Sequence, residues 1–373
     1  MNVLVAFGTR PEAIKLAPVI LELRRRSQIA LTIVTTAQHR HLIDQVLDVF
    51  GIVPDADLDV MTADQTLAEL SGRVLARIDH HLVEDRPDLV LVQGDTTSAF
   101  MCGLAAFYRR VAVGHVEAGL RTETAVDPFP EEMNRRLTSA LASMHFAPTE
   151  RARRALVAEG IAPDAVVLTG NTVIDAITQI RRTDAYRSTR PPLVASHGER
   201  IVLVTLHRRE SWGEPLTGMC RAIREIVSRH PDVRVVFPMH LNPRVRRVVV
   251  DELADAARVS LVEPLDYLTF VAQMEASTLI LTDSGGVQEE APTLGKPVLV
   301  LRNTTERPEA VEAGTARLVG TDRSAIVAAA TGLLTDDAAY AAMARASSPF
   351  GDGHAAARIA DAIEARIVAR ATV

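Results

Sequence analysis

Apolar positions recur along the chain in two ways: as short unbroken runs, and as longer stretches with an apolar residue at every third or fourth place. Val3–Phe7, Leu31–Thr35, Leu89–Val92, Val111–Gly114 and Val166–Leu168 are runs of the first kind. They are too short and too uniformly apolar for exposed strands, and they suit a parallel sheet covered on both faces. Between them, Pro11–Arg26, Arg40–Phe50 and Gln65–Leu82 have the spacing of amphipathic helices. The order strand–helix–strand predicts right-handed crossovers and a doubly wound sheet.

The rhythm breaks at 181–200, where Arg181-Arg182-Thr183-Asp184, Pro191-Pro192 and Ser196-His197-Gly198 read as a linker. A second series follows: Ile201–Leu206, Val233–Pro238, Val259–Val262, Thr278–Leu281 and Pro297–Leu301. The pattern predicts an α/β protein of two Rossmann-like doubly wound domains, 1–180 and 201–352, facing a central cleft. Ligands of such sheets bind outside the carboxyl ends of the strands. The segment 353–373 is helical in pattern and is expected to brace the first domain.

Composition narrows the class. In 373 residues, Lys+Arg total 41 against 47 Asp+Glu, a net charge of −6. That balance argues against a nucleic-acid partner, which needs a basic face. Two cysteines, Cys102 and Cys220, are too few for a disulfide-stapled fold. No apolar run approaches the ~20 residues of a membrane span, and Met1–Phe7 lacks the flank of a signal peptide. A cytoplasmic protein is the expectation.

Polar residues collect at the predicted strand ends. Gly8-Thr9-Arg10-Pro11-Glu12 follows the first strand and leads into a helix containing Lys15. Free helix amides with Arg10 and Lys15 suit an anion, although a routine strand–helix turn has the same ingredients. Asp95, after the strand at Val90–Val92, equally suits a helix cap. Glu117 follows the next strand, and Glu131-Glu132 opens a helix after Pro130. Each carboxylate alone has an ordinary explanation. Three beside Arg10, Lys15 and Arg135 at one sheet edge have acid/base capacity.

In the second series, His207 and His240 each end a strand and suit either a phosphate contact or a structural hydrogen bond. Thr282-Asp283-Ser284-Gly285-Gly286 ends another strand and opens a helix whose amides can cradle a diphosphate. Glu290, further along that helix, can accept ribose hydroxyls, and Arg307 follows downstream. No Cys/His spacing resembles a zinc site, and no nucleophile elbow occurs.

Several strings occur together in one order: Gly8-Thr9-Arg10-Pro11-Glu12-Ala13-Ile14-Lys15, Gln38-His39-Arg40, Gly94-Asp95-Thr96-Thr97, Gly114-His115-Val116-Glu117-Ala118-Gly119-Leu120-Arg121-Thr122, Pro130-Glu131-Glu132, His207-Arg208-Arg209-Glu210 and Asp283-Ser284-Gly285-Gly286-Val287-Gln288-Glu289-Glu290. Through them the chain resembles the bacterial non-hydrolysing UDP-N-acetylglucosamine 2-epimerases, from about Val3 to Gly351-Asp352-Gly353. The resemblance implies a GT-B glycosyltransferase-like fold and interconversion of UDP-GlcNAc with UDP-ManNAc. It also implies loss of UDP to 2-acetamidoglucal and re-addition, with no metal or redox cofactor. Supply of ManNAc units for cell-surface polysaccharide and a homodimer are further implications.

Carried over by position, Asp95, Glu117 and Glu131 match the family's catalytic carboxylates and His207 its catalytic histidine. Arg10, Lys15, Ser284, Gly285, Gly286, Glu290 and Arg307 match its UDP-sugar contacts, with Phe270 expected beside the uracil. Some members bind a second, activating UDP-GlcNAc through residues matching Gln38, His39, Gln65, Arg208 and His240. This chain has Asp64 where a basic residue can stand there, so a simple hyperbolic response to substrate is expected. Two other enzyme readings share the same diphosphate site: a GT-B UDP-sugar glycosyltransferase, and a hydrolysing epimerase or one acting on another UDP-sugar. A nucleotide-sugar sensor without turnover is the non-enzymatic alternative.

Overall fold

Among the described residues, seven strands, β1 (Asn2–Phe7), β2 (Ala30–Thr35), β3 (Ala56–Asp57), β4 (Leu89–Gln93), β5 (Ala112–Val116), β6 (Met144–Ala147) and β7 (Val166–Leu168), form one sheet in the order β3-β2-β1-β4-β5-β6-β7. Every adjacent pair is parallel. All of β4 is buried, which is why Leu89–Val92 run apolar without alternation before polar Gln93 ends the strand. The computed structural model describes residues 1–36, 40–62, 64–122, 124–126 and 128–371.

Helices α1 (Arg10–Arg24), α2 (Arg40–Phe50), α3 (Leu67–Asp85), α4 (Thr97–Tyr108), α5 (Glu131–Leu141) and α6 (Glu150–Ala158) connect these strands, and α7 (Thr172–Ile180) follows the last of them. α1 packs on α2, α7 and the C-terminal helix, Ala355–Ala371, while α4 packs between α3 and α5. The strand β6 escapes the pattern reading because His145 interrupts its apolar run. That imidazole is buried and bonded to the carbonyls of Ser139 (3.0 Å) and Ala165 (3.3 Å).

The second sheet holds β8 (Arg200–Thr205), β9 (Val233–Pro238), β10 (Val259–Val262), β11 (Leu279–Thr282), β12 (Val298–Val300) and β13 (Ala316–Leu318), all parallel, in the order β10-β9-β8-β11-β12-β13. Its helices are α8 (Asp184–Ser188), α9 (Glu214–Arg229), α10 (Pro243–Leu253), α11 (Tyr267–Ala276), α12 (Gly285–Thr293), α13 (Pro308–Glu312), α14 (Arg323–Thr335) and α15 (Asp337–Ala344). Leu216, Ile223 and Ile226 of α9 pack with Val202, Val204 and Phe237 in its core.

The chain forms two compact units, residues 1–180 with 350–373, and residues 181–349. Residues 181–200, expected as a linker, therefore belong with the second unit, and local bonding explains why. Thr183 caps α8, and the Gln273 side chain of α11 bonds both the amide (2.9 Å) and the carbonyl (3.1 Å) of Leu193. Residues 350–352 go instead with the first unit, where the Asn171 amide donates to the Phe350 carbonyl at 2.6 Å.

Each sheet reverses its winding once, between β1 and β4 in the first unit and between β8 and β11 in the second. The loops leaving those neighbouring strands diverge to opposite faces, which opens a crevice at their carboxyl ends. The chemistry-bearing strings lie there: Gly8–Arg10 and Gly94–Asp95 in the first unit, and His207 and Asp283–Gly286 in the second.

Candidate active site

At the first crevice the β1–α1 turn is tight. A Cβ on Gly8 would lie 2.1 Å from Thr36 Oγ1 and 2.7 Å from Ser98 Oγ, so no other residue fits. The turn delivers Arg10, half-buried, as the first residue of α1, and puts Lys15 in the next turn. Lys15 Nζ lies 2.5 Å from Glu117 Oε1, with side chains only 10% and 6% exposed.

Glu117 follows β5 with a φ of 64°, the left-handed region that non-glycine residues rarely occupy. The Gln93 side-chain amide donates to Oε2, and Asn171 Nδ2 donates to Oε1 at 3.2 Å. A buried carboxylate with an ammonium and two amides aimed at it is held in one place.

Asp95 sits beyond β4. The sequence allowed it to be a helix cap, but Thr96 takes that role, accepting from the Ala99 amide at 3.0 Å. Asp95 instead receives Arg135 Nε at 2.8 Å and stays 28% exposed. Arg135 also pairs with fully buried Glu132 at 2.5 Å. Glu131 opens the same helix, half-buried. One arginine of α5 thus joins Asp95 to the helix that begins with Glu131.

Two residues that the sequence reading did not assign support this edge. Glu12 is buried in α1 and accepts from the Gly8 amide (3.1 Å) and from Thr96 Oγ1 (2.8 Å). Burial pushes its carboxyl up to about 7 against the pull of those donors and of Thr9. His115, fully buried in β5, bonds the Gly94 carbonyl at 2.8 Å, and burial drives it down to about 3, so it is neutral. Its Nε2–H therefore pins the residue next to Asp95.

At the second crevice, the α12 N-terminus is open for an anion. Its N-cap, Ser284, makes no side-chain cap bond, which leaves the hydroxyl and first amides available to a ligand. Arg307 lies against this end: a Cβ on Gly285 would stand 3.2 Å from its Cζ and 3.0 Å from Glu306 Oε1. Arg307 is not an isolated cation. Its Nε donates to Glu289 at 2.9 Å and a terminal nitrogen pairs with Glu306 at 2.9 Å. Glu306 also collects Arg302 (2.6 Å) and Arg208 (3.1 Å). Burial opposes its charge, but the three guanidiniums hold its carboxyl well below the usual range.

Glu290, in the second turn of α12, accepts from Tyr267 Oη at 3.3 Å, and Phe270 stands half-buried one turn along the same helix as Tyr267. His207 Nδ1 lies 2.9 Å from Asp283 Oδ1, and the His207 and His240 rings stack with centroids 5.8 Å apart. Burial and His207 lower the pKa of His240. Of the second, activating set, Arg208 and His240 thus lie in this unit, whereas Gln65 lies in the first, bonded to Met61 Sδ at 2.7 Å and to Arg73. Gln38 and His39 lie outside the described residues. Among the described residues, no group of three or more His, Cys, Asp or Glu is placed to hold a metal, and no helix is long and apolar enough to cross a membrane.

A family model described as UDP-N-acetylglucosamine 2-epimerase matches residues 21–364. A UDP-N-acetylglucosamine 2-epimerase of Bacillus subtilis is 52% identical over 361 residues, covering 97% of this chain and 94% of its own. The crystal structure of UDP-GlcNAc 2-epimerase from Neisseria meningitidis bound to UDP-GlcNAc superposes with a TM-score of 0.92 at 46% identity, covering 98% of this chain and 100% of that one. In fold alone the likeness extends to the glycotransferase of kitacinnamycin, at 15% identity and a TM-score of 0.66 over 98% of both chains, which relates the paired parallel sheets to the GT-B type. With its strand-end carboxylates, its open α12 terminus and a family match over nearly its whole length, the chain belongs to the UDP-N-acetylglucosamine 2-epimerase family.

Proposed function

We propose that the protein interconverts UDP-GlcNAc and UDP-ManNAc without net hydrolysis. The proton on sugar carbon 2 is not next to a carbonyl, so its removal alone would leave a poorly stabilised carbanion. In the proposed reaction a carboxylate takes that proton while the carbon 1–oxygen bond breaks, its electron pair leaving with UDP. The C–H pair becomes the double bond of 2-acetamidoglucal. Reprotonation on the opposite face and return of UDP to carbon 1 give the epimer.

Asp95, Glu117 and Glu131 are the proposed acid/base groups of the first unit, with Arg10 and Lys15 beside them. Ser284, Gly285, Gly286, Glu290, Arg307 and Phe270 are the proposed nucleotide contacts of the second, with His207 serving the departing diphosphate. The observation that carries the reading is Glu117: a carboxylate kept buried, in a strained backbone conformation, with a lysine and two amides fixing it. A structural ion pair needs no such strain. We further propose a cytoplasmic homodimer supplying ManNAc units to cell-surface polysaccharide.

The test is incubation with UDP-GlcNAc in D2O and no acceptor. Expected are UDP-ManNAc, deuterium at carbon 2 of both sugars, and a nucleotide-sugar pool that stays constant. Stoichiometric free UDP and ManNAc would mark a hydrolysing enzyme, and no turnover without an acceptor would mark a transferase.

A further inference from the structure

The second unit's crevice brings two strand ends together, and with them one carboxylate and one imidazole that are far apart in sequence. Asp283 directly follows β11 and is completely buried. Its Oδ2 accepts the backbone amides of His207 (2.8 Å) and Arg208 (2.9 Å), both beyond β8. Its Oδ1 faces His207 Nδ1 at 2.9 Å. Burial would raise the carboxyl's pKa, but His207 and the two amides hold it below the ordinary value, so the group is an anion.

We propose that Asp283 is the positioning residue of His207, fixing the hydrogen on Nδ1 so that Nε2 is the nitrogen that meets the departing diphosphate. Oδ1 is buried and makes no hydrogen bond of ordinary geometry to any other group, so a hydrogen on Nδ1, 2.9 Å away, is what meets its charge, since an anion accepts and does not donate. Nε2 has no hydrogen-bond partner among the described residues, and the His207 side chain is 39% exposed. The stacked His240 ring fixes the plane: it lies at 26° to His207, and its own Nδ1 accepts the Asn242 amide at 3.2 Å. Tautomer and plane of His207 are thus set by different neighbours. This inference rests on the reading of His207 as a group of the epimerase site.

Asp283→Asn is an informative change because the two backbone amides still need an acceptor. They keep the amide oxygen at the Oδ2 position and turn the NH2 toward Nδ1. The imidazole must then accept there and carry its hydrogen on Nε2, the wrong tautomer. The expected result is a kcat lower by about a hundredfold with KM changed by less than about threefold. In a His207→Gln background the same substitution is expected to cost nothing further, since the positioned group is already gone.

Nitrogen-15 spectra of histidine-labelled full-length wild type, with His207 assigned by comparison with His207→Gln, read the tautomer directly. Hydrogen on Nδ1 supports the proposal. Hydrogen on Nε2 overturns it while leaving the epimerase reading intact. If Asp283→Asn does not fold, the wild-type spectrum still decides. Wild-type turnover in His207→Gln would instead remove the role of His207 itself. Equal losses from Asp283→Asn with and without His207 would reduce Asp283 to a structural residue and overturn the proposal.

Discussion

Lys15 and Glu117 come from opposite sides of the first sheet's winding reversal and meet at 2.5 Å with almost no solvent access. A buried pair of this kind penalises loss of one partner more than loss of both, because the survivor is an uncompensated charge. Lys15→Met should therefore lower unfolding free energy by about 3 kcal/mol in denaturant titrations. Adding Glu117→Gln should recover much of that loss and leave turnover abolished. A double variant no more stable than the single one would show that the pair is not coupled.

Glu12 should make stability depend on pH in a direction opposite to a salt-bridged acid. Its carboxyl titrates near 4.5 when unfolded and at about 7 when folded, so between those values the folded chain holds the extra proton. The contribution is fully present below about pH 4.5 and is lost as pH rises through about 7. The stability difference, wild type minus Glu12→Gln, should fall by about 3 kcal/mol from pH 4.5 to 8. A difference that stays flat across that range would sink the assignment.

Gly285→Ala places a methyl 3.0 Å from Glu306 Oε1 and 3.2 Å from the Arg307 guanidinium. The neighbouring Arg–Glu network must move to admit it. UDP binding, measured by calorimetry, should weaken by roughly tenfold, about 1.4 kcal/mol. An unchanged dissociation constant would place the diphosphate elsewhere than the α12 N-terminus.

Asp175, buried in α7, accepts the Ala355 and Ala356 amides at 3.2 and 2.9 Å and so caps the C-terminal helix from another element. Asp175→Ala should cost about 1–2 kcal/mol. Hydrogen exchange should quicken first at the start of that helix, before the sheet core responds; uniform loss of protection would point to a general destabilisation instead.

The strand ends were readable in sequence because a buried parallel strand is an apolar run and its carboxyl end is where polar residues resume. Asp95, Glu117, His207 and Ser284 were found that way. What holds them was not readable. Lys15 and Asn171 reach Glu117 from elements on either side of it in the sheet, and Asp283 reaches His207 only because β11 lies beside β8. Strand order decides these pairs, and periodicity carries no strand order. Glu12 was hidden for a different reason: in sequence it is one more acidic residue in a first helical turn, and its burial comes from the tight approach of Thr96.

The first unit is assembled from two stretches of chain separated by the whole of the second. On the ribosome, its sheet can form long before Ala355 emerges, and at about 5–20 residues per second the wait is roughly 10–30 s. Throughout that interval α1 has no C-terminal helix beside it and Asp175 has no amides to receive. The nascent first unit therefore presents an apolar seam along α1 and α7 until translation of the second is complete.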